Sequence, residues 1–318
     1  MSPGAARVIV TVTANVAIDR TYLVDHLEVG AVHKVTRVYT LIGGKGVNVS
    51  RCVRSLGGET LVVGLIGRAG LDDATKELTG AGLNSSLVAV DGPPRQTVTV
   101  TAHDGTSTAF DEAGPTVTSR DWTDFERHIA GLLEEAGLLV IAGSLPPGTP
   151  EQSLANLCEQ ANRHRVPVIL DARGAAMRAA LDSKPLVAKL NRSELAQTLG
   201  REITGEDEVI EGAIELRSLG AASVVVTLGE HGAIGVDGDV WRVTHPAADG
   251  NPIGAGDAFS AALALGIGTG KRPHELLRDG AAAALASLKA PTAGALDAND
   301  VEAALATVQL THIGRAPG

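Results

Sequence analysis

The sequence predicts an α/β protein in which a mostly parallel central sheet carries helices on both faces and a smaller β-sheet stands apart. Three observations lead there. From about residue 60 onward, short apolar strands alternate with helical segments, the pattern of repeated βα units. Four of these runs, residues 61–66, 138–142, 167–170 and 224–227, are continuously apolar, as strands buried on both faces must be. Two stretches, about 16–40 and 95–113, are strand-like with no helix inside them, and Thr97-Val98-Thr99-Val100-Thr101 alternates β-branched residues before a His103-Asp104-Gly105 turn. Distant in sequence, these stretches can pair as a small separate sheet. A length of 318 residues suits one large domain, 1–318, and no linker, repeat or low-complexity tail is expected beyond Ala316-Pro317-Gly318.

Element by element, residues 7–12 are β-branched and soon interrupted by Asn15 and Asp19, which reads as a first strand and not as a secretory leader. Gly43-Gly44-Lys45-Gly46-Val47-Asn48-Val49 opens a helix whose Val49, Cys52, Val53 and Leu56 share one face, and Gly57-Gly58 ends it. Ser144, Asp171 and Gly229 lie just past the ends of predicted strands, where open α/β sheets bind ligands. Gly266-Ile267-Gly268-Thr269-Gly270-Lys271 is one residue short of the P-loop spacing and lacks the following Ser or Thr, so it reads as a helix stop before Pro273. The alanine-rich runs near 258–267 and 281–290 are too short, or too interrupted by Lys289 and Pro291, to span a membrane.

A formal net charge of −10 argues against a nucleic-acid or anionic-membrane partner, either of which needs a basic face. Cys52 and Cys158 form no metal-spaced pair and fit buried thiols in a reducing, cytoplasmic setting, and the nine histidines show no paired metal spacing.

The strongest chemical signal is Asn251-Pro252-Ile253-Gly254-Ala255-Gly256-Asp257, running into the apolar residues 258–263. Small residues at a helix start leave the amides of Gly254, Ala255 and Gly256 open to an anion that the helix dipole already favours. A carboxylate beside such a cradle is electrostatically unwelcome unless Asp257 takes a proton from an attacking hydroxyl. A glycine turn whose Asp merely complements the dipole is the plainer alternative. Gly43 and Gly44 likewise allow close approach of a ligand, while Lys45 adds a cation and Asn48 an amide suited to sugar hydroxyls.

Taken in this order, the two loops resemble the signatures of the PfkB (ribokinase-like) family of carbohydrate kinases. The similarity extends toward the branch of 1-phosphofructokinase and tagatose-6-phosphate kinase, through Asn15-Val16-Ala17-Ile18-Asp19-Arg20-Thr21, Gly143-Ser144-Leu145-Pro146-Pro147-Gly148, Lys189-Leu190-Asn191-Arg192-Ser193-Glu194 and Thr227-Leu228-Gly229-Glu230-His231-Gly232-Ala233. Val16 and Leu190 stand where the family usually has proline. The resemblance implies a ribokinase-like three-layer sandwich with a β-sheet lid that often clasps a homodimer. It also implies ATP and Mg²⁺ as cofactors and phosphorylation of a ketohexose phosphate, of fructose 1-phosphate, tagatose 6-phosphate or fructose 6-phosphate type.

On that basis Asp257 is the base and the Gly254, Ala255 and Gly256 amides form the anion hole. Asp19 accepts from sugar hydroxyls opposite Gly43, Gly44, Lys45 and Asn48, and Lys34, Arg95 and Ser144 bind the sugar's phosphate. Lys189, Asn191, Thr227, Gly229 and Gly232 contact the nucleotide, and Glu194 with Asn191 organises Mg²⁺. The plainer alternatives are a surface charge for Lys34 and Arg95, a turn for Asp19, a helix capping box for Glu194, and a strand-to-turn connection for the 227–232 glycines. Two other functions remain open: a kinase of an unphosphorylated sugar, sugar-like metabolite or nucleoside, and a non-catalytic sugar- or nucleotide-binding regulator.

Overall fold

A computed structural model describes residues 7–316; Pro317 and Gly318 of the expected tail lie outside them. Fourteen strands and ten α-helices follow in chain order among the described residues: β1 (Val8–Thr13), β2 (Ala17–Val24), β3 (Arg37–Gly43), α1 (Lys45–Ser55), β4 (Thr60–Gly67), α2 (Leu71–Gly80), β5 (Asn84–Val90), β6 (Arg95–Ala102), β7 (Ser107–Asp111), α3 (Ser119–Leu132), β8 (Ala136–Ala142), α4 (Ser153–Arg163), β9 (Val168–Asp171), α5 (Gly174–Leu181), β10 (Val187–Asn191), α6 (Arg192–Leu199), α7 (Glu206–Ser218), β11 (Ser223–Thr227), β12 (Ala233–Val236), β13 (Asp239–Thr244), α8 (Ala255–Gly268), α9 (Pro273–Ser287), α10 (Ala298–Leu305) and β14 (Gln309–Arg315).

The large sheet runs β14-β13-β12-β11-β10-β9-β8-β1-β4-β5. Its seven strands from β11 to β5 are parallel, and β12, β13 and β14 close one edge antiparallel. All four apolar runs of the sequence fall on parallel strands, and Val62, Val140, Ile169 and Val224 are each fully buried. Helices α3 to α7 cover one face and α1, α8, α9 and α10 the other, each face with its own apolar core. Trp122, Phe125 and Ile129 of α3 point into the first core, at the three- and four-residue spacing of one helix face, behind a Thr118/Asp121 capping box.

The small sheet has the order β3-β2-β6-β7. It is mixed: two antiparallel hairpins are joined through a parallel β2–β6 pairing, with Ala17 opposite Arg95 and Asp19 opposite Thr97. Residues 25–36 pair with neither sheet. The strand expected around Lys34 is an exposed loop, because β2 leaves the ladder after Val24 and the chain turns through Gly30 at φ 89° before β3 begins. The loop glycines that open α1 and α8 place both helix starts beneath this small sheet.

Candidate active site

Parallel strands deliver their C-terminal ends to one edge of a sheet, and here that edge gathers charge. Asp171 closes β9, Asn191 closes β10 and Thr227 closes β11; Asp171 stands beside Lys189 in register, and Asn191 beside Thr227. Lys189 Nζ donates to Asp171 Oδ2 at 2.6 Å, while Lys45 Nζ donates to Asp171 Oδ1 at 2.8 Å and to Glu194 Oε1 at 3.0 Å. Asp171 and Lys189 are 1% and 3% exposed. Burial alone would raise the Asp171 pKa, yet the two ammonium groups hold it below the usual carboxylate range. Burial would likewise discharge Lys45, but Asp171, Glu194 and Asp257 hold its pKa above the ordinary lysine value. Lys45, expected among the sugar ligands, lines the cleft, and its ammonium is engaged by two carboxylates because the first residue of α1 faces the end of β9.

Asp257 lies one turn into α8, 6% exposed. Its Oδ2 accepts from Asn48 Nδ2 at 2.9 Å, so the side chain bridges the starts of the two glycine-opened helices rather than capping its own. Burial drives its pKa up to about 7, against the pull of Lys45 and with the added repulsion of Asp171. The cradle before it is narrower than expected. The Ala255 amide donates to Pro252 O at 3.2 Å and the Asp257 amide to Gly254 O at 2.9 Å, which leaves Gly254 and Gly256 as the amides without a backbone acceptor. The tight turn that aims the helix start costs the Ala255 donor. Gly254 itself has φ 87°, and a Cβ there would stand 2.8 Å from the Ala293 Cα, so only glycine makes this turn.

One cleft of about 610 Å³ brings together Asp257, Gly254, Ala255 and Gly256 with Asp19, Gly44, Lys45, Asn48 and Arg95, and with Lys189, Asn191, Glu194, Thr227, Gly229 and Gly232. Gly43 lies beneath Asp19 instead of in the wall: a Cβ on Gly43 would overlap the Asp19 carboxylate. Burial raises the Asp19 pKa, with Arg95, the Thr97 hydroxyl and the Gly44 amide pulling the other way. Arg95 Nη1 reaches Ser144 Oγ at 3.3 Å, and both line an adjoining chamber of about 510 Å³ that meets the cleft at Lys45 and Arg95. Lys34 is exposed and lines neither space, so within one chain the structure does not bring it to the phosphate position expected for it. Asn191 and Glu194 form the capping box of α6, each side chain accepting from the other's amide at 2.9 Å. Among the described residues no group of three or more His, Cys, Asp or Glu could hold a metal ion, and no helix is long and apolar enough to cross a membrane.

The pfkB family carbohydrate kinase model matches residues 9–299. The chain belongs to the pfkB family of carbohydrate kinases. Among solved structures it is similar to phosphofructokinase-2 from Escherichia coli in complex with fructose-6-phosphate, at 28% identity and a TM-score of 0.85, over 94% of this chain and 98% of the other. A Thermotoga maritima protein described as a possible 1-phosphofructokinase shares the fold at 24% identity and a TM-score of 0.90, over 96% and 99% of the two chains. Arabidopsis thaliana ribokinase complexed with ribose and ATP does so at 24% identity and a TM-score of 0.74, over 95% and 99%.

As a pfkB kinase the protein uses ATP and a sugar, and part of the cleft is lined by apolar residues. Ala281, Ala284, Leu285 and Leu288 line it from α9 and its end, opposite Pro252 and Ile253. None of these was singled out in the sequence, although positions 281, 284, 285 and 288 repeat with the spacing of a helix face. Asp171 was noted only for its place past a strand, and Arg173, two residues on in the second chamber, was not noted at all. Gly232 serves the strand connection, since a Cβ would overlap the Val243 carbonyl, while Gly229 faces open space in the cleft.

Proposed function

We propose that this kinase transfers the terminal phosphoryl group of ATP to a hydroxyl of a ketohexose phosphate. The observation that carries the chemistry is Asp257: a buried carboxylate with a pKa near 7, held by Asn48 and facing the same cleft as Asp19. Asp257 takes the proton of the acceptor hydroxyl, the hydroxyl oxygen forms its bond to the γ-phosphorus, and the bond to the bridging oxygen breaks to leave ADP. The free amides of Gly254 and Gly256 receive charge on the transferred group at the positive end of α8, with the Lys189 ammonium beside Gly256. Asp19 accepts from the sugar's other hydroxyls.

That the acceptor already carries a phosphate is supported by Arg95, which projects from the inner face of the small sheet toward Ser144. A guanidinium grips a phosphate through two parallel donors where a lysine offers a point charge. Mg²⁺, when bound with the nucleotide, neutralises polyphosphate charge. Asn191 and Glu194 offer the hard oxygens it prefers, but their oxygens already accept from the capping amides and Lys45, so they suit a hydrated ion held through its waters.

ADP release measured across phosphorylated and free ketoses, aldoses and nucleosides tests this reading. A ketohexose phosphate should give the highest kcat/KM, and a preference for a free sugar or nucleoside would replace it with the alternative kinase. No turnover on any of them would leave the non-catalytic regulator.

The same reading includes a homodimer through the small sheet. Val38, Tyr22, Val98, Val100 and Phe110 fall on its outer face by register, and Val38 and Phe110 are 53% and 60% exposed. The fully exposed Val29 and Val32 of the adjoining loop extend this apolar area, and exposed apolar patches favour association with a second copy. Light scattering should give twice the chain mass, and Phe110→Glu should halve it.

A further inference from the structure

The chamber beside the cleft has a built interior of which the reaction as described uses only Arg95 and Ser144. Its wall includes Thr13 and Asn15, 1% and 3% exposed, and neither Thr13 Oγ1 nor Asn15 Oδ1 has a hydrogen-bond partner among the described residues. Buried polar atoms left in this way are the mark of a place where a polar ligand or its water completes the pairing. Three cations border the same space, and they differ in how they are engaged. Lys45 is held by Asp171 and Glu194, and Arg95 reaches only the Ser144 hydroxyl. Arg173 makes no ion pair or side-chain hydrogen bond among the described residues, and it does not cap α5, whose start it precedes.

We infer that Arg173 is a specificity-determining residue that binds, together with Arg95 and Ser144, the phosphate already carried by the acceptor sugar; this rests on the ketohexose phosphate reading above. The chain fixes Arg173 at this place because it follows Asp171 and Ala172, both buried, so the backbone at the end of β9 is anchored while the side chain is exposed. Arg173 has an extended backbone, φ −147° and ψ 163°, and its side chain makes no capping hydrogen bond to the helix it introduces. Four carboxylates also line the chamber: Asp171 and Glu194, both paired with Lys45, and Asp111 and Glu112, at and just past the end of β7. Glu112 is engaged by the Gln96 amide at 2.9 Å, and Lys45 meets the charge of Asp171 and Glu194, so the phosphate is drawn to the wall where Ser144 and the unpaired Arg173 stand. The second cation that the sequence places at Lys34 is supplied here from the end of β9, within the same chain.

The test compares KM for the preferred ketohexose phosphate with KM for its unphosphorylated parent, at saturating ATP, in the wild type, Arg173→Ala, Arg173→Lys and Arg95→Ala. Binding of the sugar phosphate without ATP is measured in parallel by calorimetry. Arg173→Ala should raise KM and Kd for the phosphorylated sugar about tenfold, the loss of one charge-assisted contact, with kcat and the KM of the parent sugar unchanged. Arg173→Lys should recover part of the loss. If Arg95→Ala raises the KM and Arg173→Ala leaves it unchanged, the inference is overturned while the ketohexose phosphate reading stands. An equal rise for both sugars also overturns it, since a merely structural role acts on both. A wild type that prefers the parent sugar, with Arg95→Ala neutral, removes the reading and the inference together.

Discussion

The floor and the roof of the cleft are both charged, but they treat their charges differently. On the floor, Lys45, Asp171, Lys189 and Glu194 neutralise one another at 2.6 to 3.0 Å. On the roof and the adjoining chamber, Asp19, Arg95 and Arg173 face the cavities with few partners from the chain itself. A group paired within the protein sets the field and the geometry of the site, whereas a group left open is available to a ligand. Asp257 sits between the two regimes. Its carboxyl has one hydrogen bond among the described residues, from Asn48, and a proton affinity balanced by opposed neighbours.

The largest effect should come from the residue on that boundary. Asp257→Asn should lower kcat by about 10²–10⁴-fold with sugar binding largely kept, checked by single-turnover kinetics and calorimetry. In the wild type, kcat/KM should climb with pH and level off above about 7, the value at which Asp257 becomes a carboxylate. Stability moves the opposite way. Because folding raises this pKa from 3.8, its contribution is full below pH ~4 and is lost as pH rises through about 7. Asp257→Asn should therefore melt above the wild type at pH 8, by up to about 4 kcal/mol, with the gap closing toward pH 4.

On the floor, Asp171→Asn leaves Lys45 short of one partner and Lys189 without any, which should cost about 3–5 kcal/mol in denaturant unfolding. A loss of activity with unchanged stability would break the contrast drawn above, for it would make Asp171 a ligand group like those of the roof. Arg95→Ala on the roof should do the reverse, raising the KM for the sugar phosphate about 10- to 100-fold while the melting temperature barely moves. The smallest effect is expected at Asn48, the link between the regimes. Asn48→Ala removes a bond worth about 1 kcal/mol to the charged form of Asp257, so the inflection of the pH profile should move upward from about 7.

Much of this was legible in the sequence where local pattern determines the outcome. Continuous apolar runs mark the parallel strands, the small-residue starts of α1 and α8 mark the two ligand loops, and Asn191 with Glu194 reads as a capping box in either medium. What could not be read depends on which strand ends become neighbours. Asp171, Lys45 and Glu194 are separated by 126 and 149 residues along their contacts, and only the order β10-β9-β8 brings them to one edge. Nor does a glycine motif state which amides remain free, since the Ala255 donor was lost to a turn with Pro252 that composition does not specify. Lys34 is placed at the sugar's phosphate by the family resemblance and not by a local pattern. In the single chain it stands on the exposed loop between β2 and β3, a stretch that reads as strand-like but has no neighbouring ladder to receive it.

The parallel seam between β2 and β6 has a mechanical consequence. Asp19 and Arg95 stand two positions apart across it, Arg95 facing Ala17, so the ladder fixes the spacing between these two side chains. With Asp19 on the hydroxyls and Arg95 on the phosphate, as proposed above, the sheet would act as a gauge: a sugar whose two ends do not match its jaws would be refused by length before any chemistry begins.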